Sequence, residues 1–183
     1  SIYGITKAAA THYCRHMALS RKLSLTTLRL YSVFGPYEEP TRLIPTLIVE
    51  GLKGGLPPLV NPSISRDYTY INDVLDAYIL TASNPTKITG KIYNLGTGVQ
   101  TSLHEVVDLA CLILPIKVEP EWGTMPDRQW DTSIWVADHS NITKDLGWLP
   151  KHTLKVGFER SVDWLISNES IINYYQSNRT LPK

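Results

Sequence analysis

Short runs of β-forming residues alternate with helical periods along this 183-residue chain, and that alternation restricts the fold more than any other feature. An alanine-rich helix is predicted from Ile5 to about Ser20, with Tyr3, Lys7, Ala10, Cys14 and Met17 along one stripe. Leu25 to Leu30 reads as a strand ending at the Gly35-Pro36 turn, and Ile44 to Lys53 as a helix with Pro45 in its first turn and Gly54-Gly55 closing it. A short strand is expected at Leu59-Val60. Another runs from Asp67 to Ile71, where polar and apolar residues alternate, before a helix through Val74 to Leu80 capped by Asn72 or Asp73. Lys91 to Leu95 is a strand, and Ser102 caps a helix from Leu103 to Leu114 with Glu105 near its positive end. Pro115 breaks that helix ahead of a strand at Ile116 to Glu119. Pro120 to Asp138 reads as a long loop serving a site, and helices follow at Asn141 to Leu146 and Leu154 to Ser167. The fold class is α/β.

Composition narrows the function. A hydrophobic content of 43% with 19% charged residues suits a globular protein with a substantial core. A net charge of +1 gives no reason to expect nucleic acid or an anionic membrane as partner, so any phosphate grip must be local. No apolar run is long enough to span a bilayer, and a cytoplasmic location is the simplest expectation. Cys14 and Cys111 read as buried free thiols of a reducing compartment. His12 and His16 lie one turn apart but lack the glutamate of an H-E-x-x-H site, and His104, His139 and His152 are scattered, so no metal is expected.

Tyr3 and Lys7 carry the chemistry. At i and i+4 they share a helix face, so a phenol and an ammonium can address one ligand. A phenol ordinarily holds its proton to about pH 10, and a neighbouring cation favours the phenolate, which suits proton exchange nearer neutrality. A dinucleotide enzyme also needs a strand, a glycine-rich turn and a helix N-terminus for the pyrophosphate. The nearest mimic, Gly96-Thr97-Gly98, lacks the third glycine and a following acidic residue, and reads as an ordinary βα turn.

Further motifs follow in order: Arg29-Leu30-Tyr31-Ser32-Val33-Phe34-Gly35-Pro36, Arg66-Asp67-Tyr68-Thr69-Tyr70-Ile71-Asn72-Asp73-Val74, Tyr93-Asn94-Leu95-Gly96-Thr97-Gly98 and Asp145-Leu146-Gly147-Trp148-Leu149-Pro150. With the Tyr3/Lys7 pair they resemble the extended short-chain dehydrogenase/reductases, specifically the NAD-dependent nucleotide-sugar epimerase/dehydratase family. The resemblance runs from Tyr3 to about Asn168. It implies the C-terminal portion of a Rossmann-type fold plus a small α/β substrate-binding domain, the glycine-rich dinucleotide-binding part belonging to a longer enzyme. It also implies NAD, with NADP possible, as cofactor, a nucleotide-diphosphate sugar as substrate, and a homodimer.

The resemblance assigns roles to residues. Tyr3 would exchange a proton with a sugar hydroxyl, and Lys7 would hold the nicotinamide ribose. Tyr31 and Val33 would line the cofactor side of the pocket. Ser32, standing where most members carry asparagine, would face substrate with a shorter side chain. Leu43 would contact substrate near the nucleotide, Arg66 and Arg128 would grip the diphosphate, and Asp131 would order Arg128 or meet the ribose. Epimerase and 4,6-dehydratase share this machinery. A second reading is a non-catalytic remnant that binds nucleotide or protein, with apolar faces of the first helix and the Leu25 to Leu30 strand uncovered.

Overall fold

A computed structural model describes residues 1–125 and 134–178. In chain order it holds α1 (Ile2–Arg21), β1 (Thr27–Leu30), β2 (Ser32–Phe34), α2 (Leu43–Leu52), β3 (Ser65–Arg66), β4 (Tyr68–Tyr70), α3 (Ile71–Ala82), β5 (Ile92–Leu95), β6 (Thr101–Ser102), α4 (Leu103–Ile113), α5 (Ser140–Leu146), α6 (Leu154–Ile166) and α7 (Glu169–Ser177). The chain divides into two compact units, one of Ser1–Val33, Asp67–Val99 and Val136–Lys151, the other of Phe34–Arg66, Gln100–Trp135 and His152–Lys183.

In the first unit β1 and β5 run parallel, with Thr27 opposite Ile92 and Leu30 opposite Leu95. Beside them Ser32 donates its amide to the Asp67 carbonyl at 3.1 Å. Val74, Ala77, Ile88, Tyr93, Leu95, Ile142 and Trp148 form the core, flanked by Leu28 and Val33. Burying one such large side chain contributes about 1.5–3 kcal/mol, so this cluster outweighs the local propensities of its short strands. Trp148 is held by its indole N–H, which donates to the Asp73 carbonyl at 3.0 Å. Tyr93, fully buried, donates its hydroxyl to Asp145 at 2.8 Å and so ties β5 to α5.

In the second unit α2 lies against α4 so closely that a Cβ at Gly51 would stand 2.5 Å from Leu114 Cδ1. The buried positions of α2 and α4, among them Leu47, Ile48, Val106 and Val107, recur at helical spacing. Ser102 and Glu105 close a reciprocal capping box at the start of α4, as an S-x-x-E pattern should. β3 and β6 pair antiparallel, Arg66 opposite Thr101.

Several expectations need correction. α1 starts at Ile2, because the Ser1 hydroxyl accepts from the Gly4 amide at 3.2 Å and caps it. Only Thr11 and Ala18 of α1 are buried, so the Tyr3-to-Met17 stripe is no packed face, and Cys14 and Cys111 are half-buried rather than buried. Neither Asn72 nor Asp73 caps α3, whose N-cap is Tyr70, although Asp73 lies in the first turn. Leu59-Val60 is not a strand, for its bonds run to Thr124 Oγ1 and the Met125 amide instead of a ladder. Among the described residues Ile116 to Glu119 likewise makes only isolated backbone ties, from the Ile116 amide to the Leu114 carbonyl and from the Lys117 amide to the Gly54 carbonyl, and forms no strand. α7 is an element that sequence periodicity did not predict.

Candidate active site

Tyr3 and Lys7 sit in the first two turns of α1 and meet there. The Lys7 Nζ lies 5.5 Å from the centroid of the Tyr3 ring, within cation–π reach. The phenol is 71% exposed and so open to a ligand. Tyr31, Ser32 and Val33 follow β1 in the same unit and are all half-buried. The Tyr31 amide donates to Leu95 at 3.1 Å and the Ser32 amide to Asp67, which locks the segment's backbone to its neighbours.

Leu43 and Arg66 belong to the second unit. Leu43 is the half-buried first residue of α2. Arg66 leaves β3 with one guanidinium nitrogen donating to the Ser65 carbonyl at 2.8 Å, and its guanidinium carbon stands 5.6 Å from the centre of the Trp135 ring. That distance lies within cation–π reach. Arg128 and Asp131 lie outside the described residues.

One residue that sequence reasoning missed organises the first unit. Asp67 is fully buried. Its carboxylate accepts from the Thr97 amide and hydroxyl, each at 2.7 Å, and from the Gly98 and Ala137 amides, each at 3.0 Å. Gly96 is obligatory beside it, since a Cβ there would lie 2.6 Å from Asp67 Oδ2 and 2.3 Å from the Ala137 Cβ. Asp67 and Thr69 lie inside and Tyr70 on the opposite face is buried as well, so the Asp67 to Ile71 run is no simple inside–outside alternation. No local signal marks Asp67, because its partners come from residues 97, 98 and 137.

The NAD dependent epimerase/dehydratase family model matches residues 1–96, the span that carries the Tyr3/Lys7 pair and the Arg66 to Val74 run. The chain belongs to this family. Curated relatives of this epimerase/dehydratase chain include the dTDP-glucose 4,6-dehydratases of Xanthomonas campestris pv. campestris and Escherichia coli. They are 29% and 28% identical over 179 and 182 residues, covering 93% and 92% of this chain. The match takes in 50% and 49% of those proteins, so the chain spans about half the length of the curated relatives it matches. The UDP-glucose 4-epimerase of Thermotoga maritima, solved with UDP-glucose, aligns at a TM-score of 0.79 and 26% identity over 90% of this chain and 53% of that one. The dTDP-glucose 4,6-dehydratase of Bacillus anthracis, solved with NAD, shares the fold at a TM-score of 0.84 and 24% identity over 96% of this chain and 55% of that one. The α/β architecture is thus part of the extended short-chain dehydrogenase fold.

Against the family's cofactor, the donor chemistry of the described residues fits one end only. An exposed phenol and ammonium together suit a nicotinamide ribose. The amides of Thr97 and Gly98, in the one G-x-G turn that follows a strand, are already spent on Asp67 and are not free to cradle a pyrophosphate.

Proposed function

We propose that these 183 residues are the catalytic-helix and substrate-binding part of an NAD-dependent nucleotide-sugar epimerase or 4,6-dehydratase. The observation that carries this reading is the meeting of Tyr3 and Lys7 on an exposed helix face within a chain of this family. When bound, NAD, or NADP in its place, supplies hydride acceptance and return at a sugar carbon. Tyr3 takes the proton from the sugar hydroxyl and gives it back, while Lys7 holds the ribose hydroxyls and keeps positive charge beside the phenol. Tyr31 and Val33 flank the nicotinamide. Ser32 and Leu43 touch the sugar nucleotide, Arg66 and Arg128 grip its diphosphate, and Asp131 steadies Arg128. The substrate class is a nucleotide-diphosphate sugar, in keeping with the names of the relatives.

The glycine-rich pyrophosphate cradle belongs, in this reading, to a portion of the parent outside these residues, and the parent works in the cytoplasm as a homodimer. The isolated chain is then inert: mixed with NAD and a UDP- or dTDP-hexose it forms no NADH absorbance at 340 nm and no keto-sugar. Hydride transfer by the purified chain would refute the division of labour.

A second reading has its own support. α1 exposes Ile2, Ile5, Tyr13 and Leu19, an apolar surface fit for self-association by a non-catalytic remnant that binds nucleotide or protein. Light scattering combined with nucleotide-sugar titration separates the two. Self-association without sugar-nucleotide binding favours a protein-binding remnant, and a monodisperse monomer that binds no nucleotide sugar weakens both readings.

A further inference from the structure

In the second unit, Glu38 sits at the end of the Gly35–Glu38 turn, where its Oε2 is fully buried and has no hydrogen-bond partner among the described residues. It borders a cavity of about 10 Å³ walled by Ile44, Pro45, Ile48, Trp164 and Leu165, roughly the room a single water needs. Over this cavity lies α7, whose buried Tyr175 donates its hydroxyl to the Glu38 backbone carbonyl. Trp164 is wedged between Tyr37 and Tyr175, with ring centroids 5.0 and 6.0 Å away, both edge-on. The turn itself is under tension, since Tyr37 is a non-glycine residue at φ 65°, in the left-handed region that L-residues rarely adopt.

We propose that Glu38 and Tyr175 form a proton-dependent latch that holds α7 on α2 and α6 while the Glu38 carboxyl is neutral and releases it when that carboxyl ionises. A neutral carboxyl tolerates the apolar wall. A carboxylate there has no partner for its buried oxygen and must reach water, which swings the strained turn outward and carries the Glu38 carbonyl away from Tyr175. Among the described residues Arg42, the N-cap of α2, is the cation whose field favours ionisation of Glu38, and the Gly35 amide acts in the same sense. α7 presents the phenols of Tyr174 and Tyr175 and the turn presents Tyr37. From α6 come Trp164, Leu165 and Ser161, whose hydroxyl is committed to the Gly157 carbonyl at 2.7 Å.

Burial outweighs Arg42 and the Gly35 amide and pushes the Glu38 carboxyl up to about 8, and burial followed by Glu38 pushes Tyr175 up to about 12. The sign follows: the folded carboxyl holds its proton more tightly than the unfolded one. The latch is closed below neutrality and opens as pH rises through about 8.

Hydrogen exchange of the α7 amides, corrected for intrinsic rates, tests this between pH 6.5 and 9.5. Protection in the wild type should fall at least about tenfold across pH 8, whereas Glu38→Gln should stay protected throughout and Tyr175→Phe should be weaker at every pH with the same midpoint. Identical profiles in wild type and Glu38→Gln, or a flat profile in wild type, would overturn the proposal. Should Glu38→Gln not fold, the carboxyl carbon of ¹³C-labelled Glu38 in wild type decides. A midpoint near 8 supports the latch, and titration in the ordinary carboxylate range refutes it.

Discussion

The Asp67 carboxylate accepts the Ala137 backbone amide at 3.0 Å, a bond between residues seventy positions apart in sequence. With Thr97 and Gly98 added, the buried carboxylate saturates its acceptor sites on three backbone amides and a hydroxyl. Asp67→Asn turns an amide NH₂ toward at least one of those N–H groups. It should destabilise the chain by about 2–4 kcal/mol, read as a lower Tm in thermal unfolding. An unchanged Tm would mean that the clamp contributes nothing.

Gly96→Ala should be at least as damaging. Its Cβ would meet backbone-anchored neighbours, Asp67 Oδ2 at 2.6 Å and the Ala137 Cβ at 2.3 Å, neither of which can move without undoing the clamp. A loss of about 3 kcal/mol or more, or failure to accumulate folded protein, is expected. Gly147→Ala, at a position open to solvent with φ 71°, is the milder control, expected to cost about 1 kcal/mol through backbone conformation alone.

Tyr93→Phe removes the hydroxyl bound to Asp145 and should lower Tm by about 2–4 °C at pH 7. The Tyr93 hydroxyl first, and then Lys91 at 3.3 Å, hold the Asp145 carboxyl below its usual range, while burial and Asp145 push the Tyr93 phenol up. Because the folded carboxylate is the stronger acid, its stabilisation is present above the unfolded value of 3.8 and is lost as pH falls through the folded one. The Tm difference between wild type and Tyr93→Phe should therefore shrink below about pH 4. A difference that grows with acidity would contradict the pairing.

Ser102→Ala breaks the capping box from one side, leaving the Glu105 amide of α4 without its cap, at a cost of about 1 kcal/mol. Ser102→Thr should recover most of it. Urea unfolding of the two variants checks both expectations.

Much of this was legible locally. The S-x-x-E signature placed the start of α4, and the tyrosine–lysine spacing placed two groups on one helix face, because both depend on residues within a turn of each other. What failed depended on distance. Asp67 faces inward because its partners arrive from residues 97, 98 and 137, and nothing within the Asp67 to Ile71 run announces them. α7 carries Ile171, Ile172, Tyr174 and Tyr175, poor helix formers by intrinsic preference, and is fastened by Tyr175 to a carbonyl 137 residues away. The misread strands at 59–60 and 116–119 have strand-like composition but, among the described residues, only isolated bonds to Thr124, Met125, Leu114 and Gly54, and composition cannot tell a ladder from a single tie.

The assignment of Tyr3 as the proton-exchanging group is tested most directly by turnover in a folded chimera. The N-terminal half of the Escherichia coli dTDP-glucose 4,6-dehydratase would be joined ahead of Ser1, and conversion of dTDP- or UDP-glucose followed by sugar-product analysis. Tyr3→Phe, which keeps the ring and removes only the hydroxyl, should lower kcat by about 10²–10⁴-fold while circular dichroism is unchanged. A Tyr3→Phe chimera that turns over as fast as its parent contradicts the assignment.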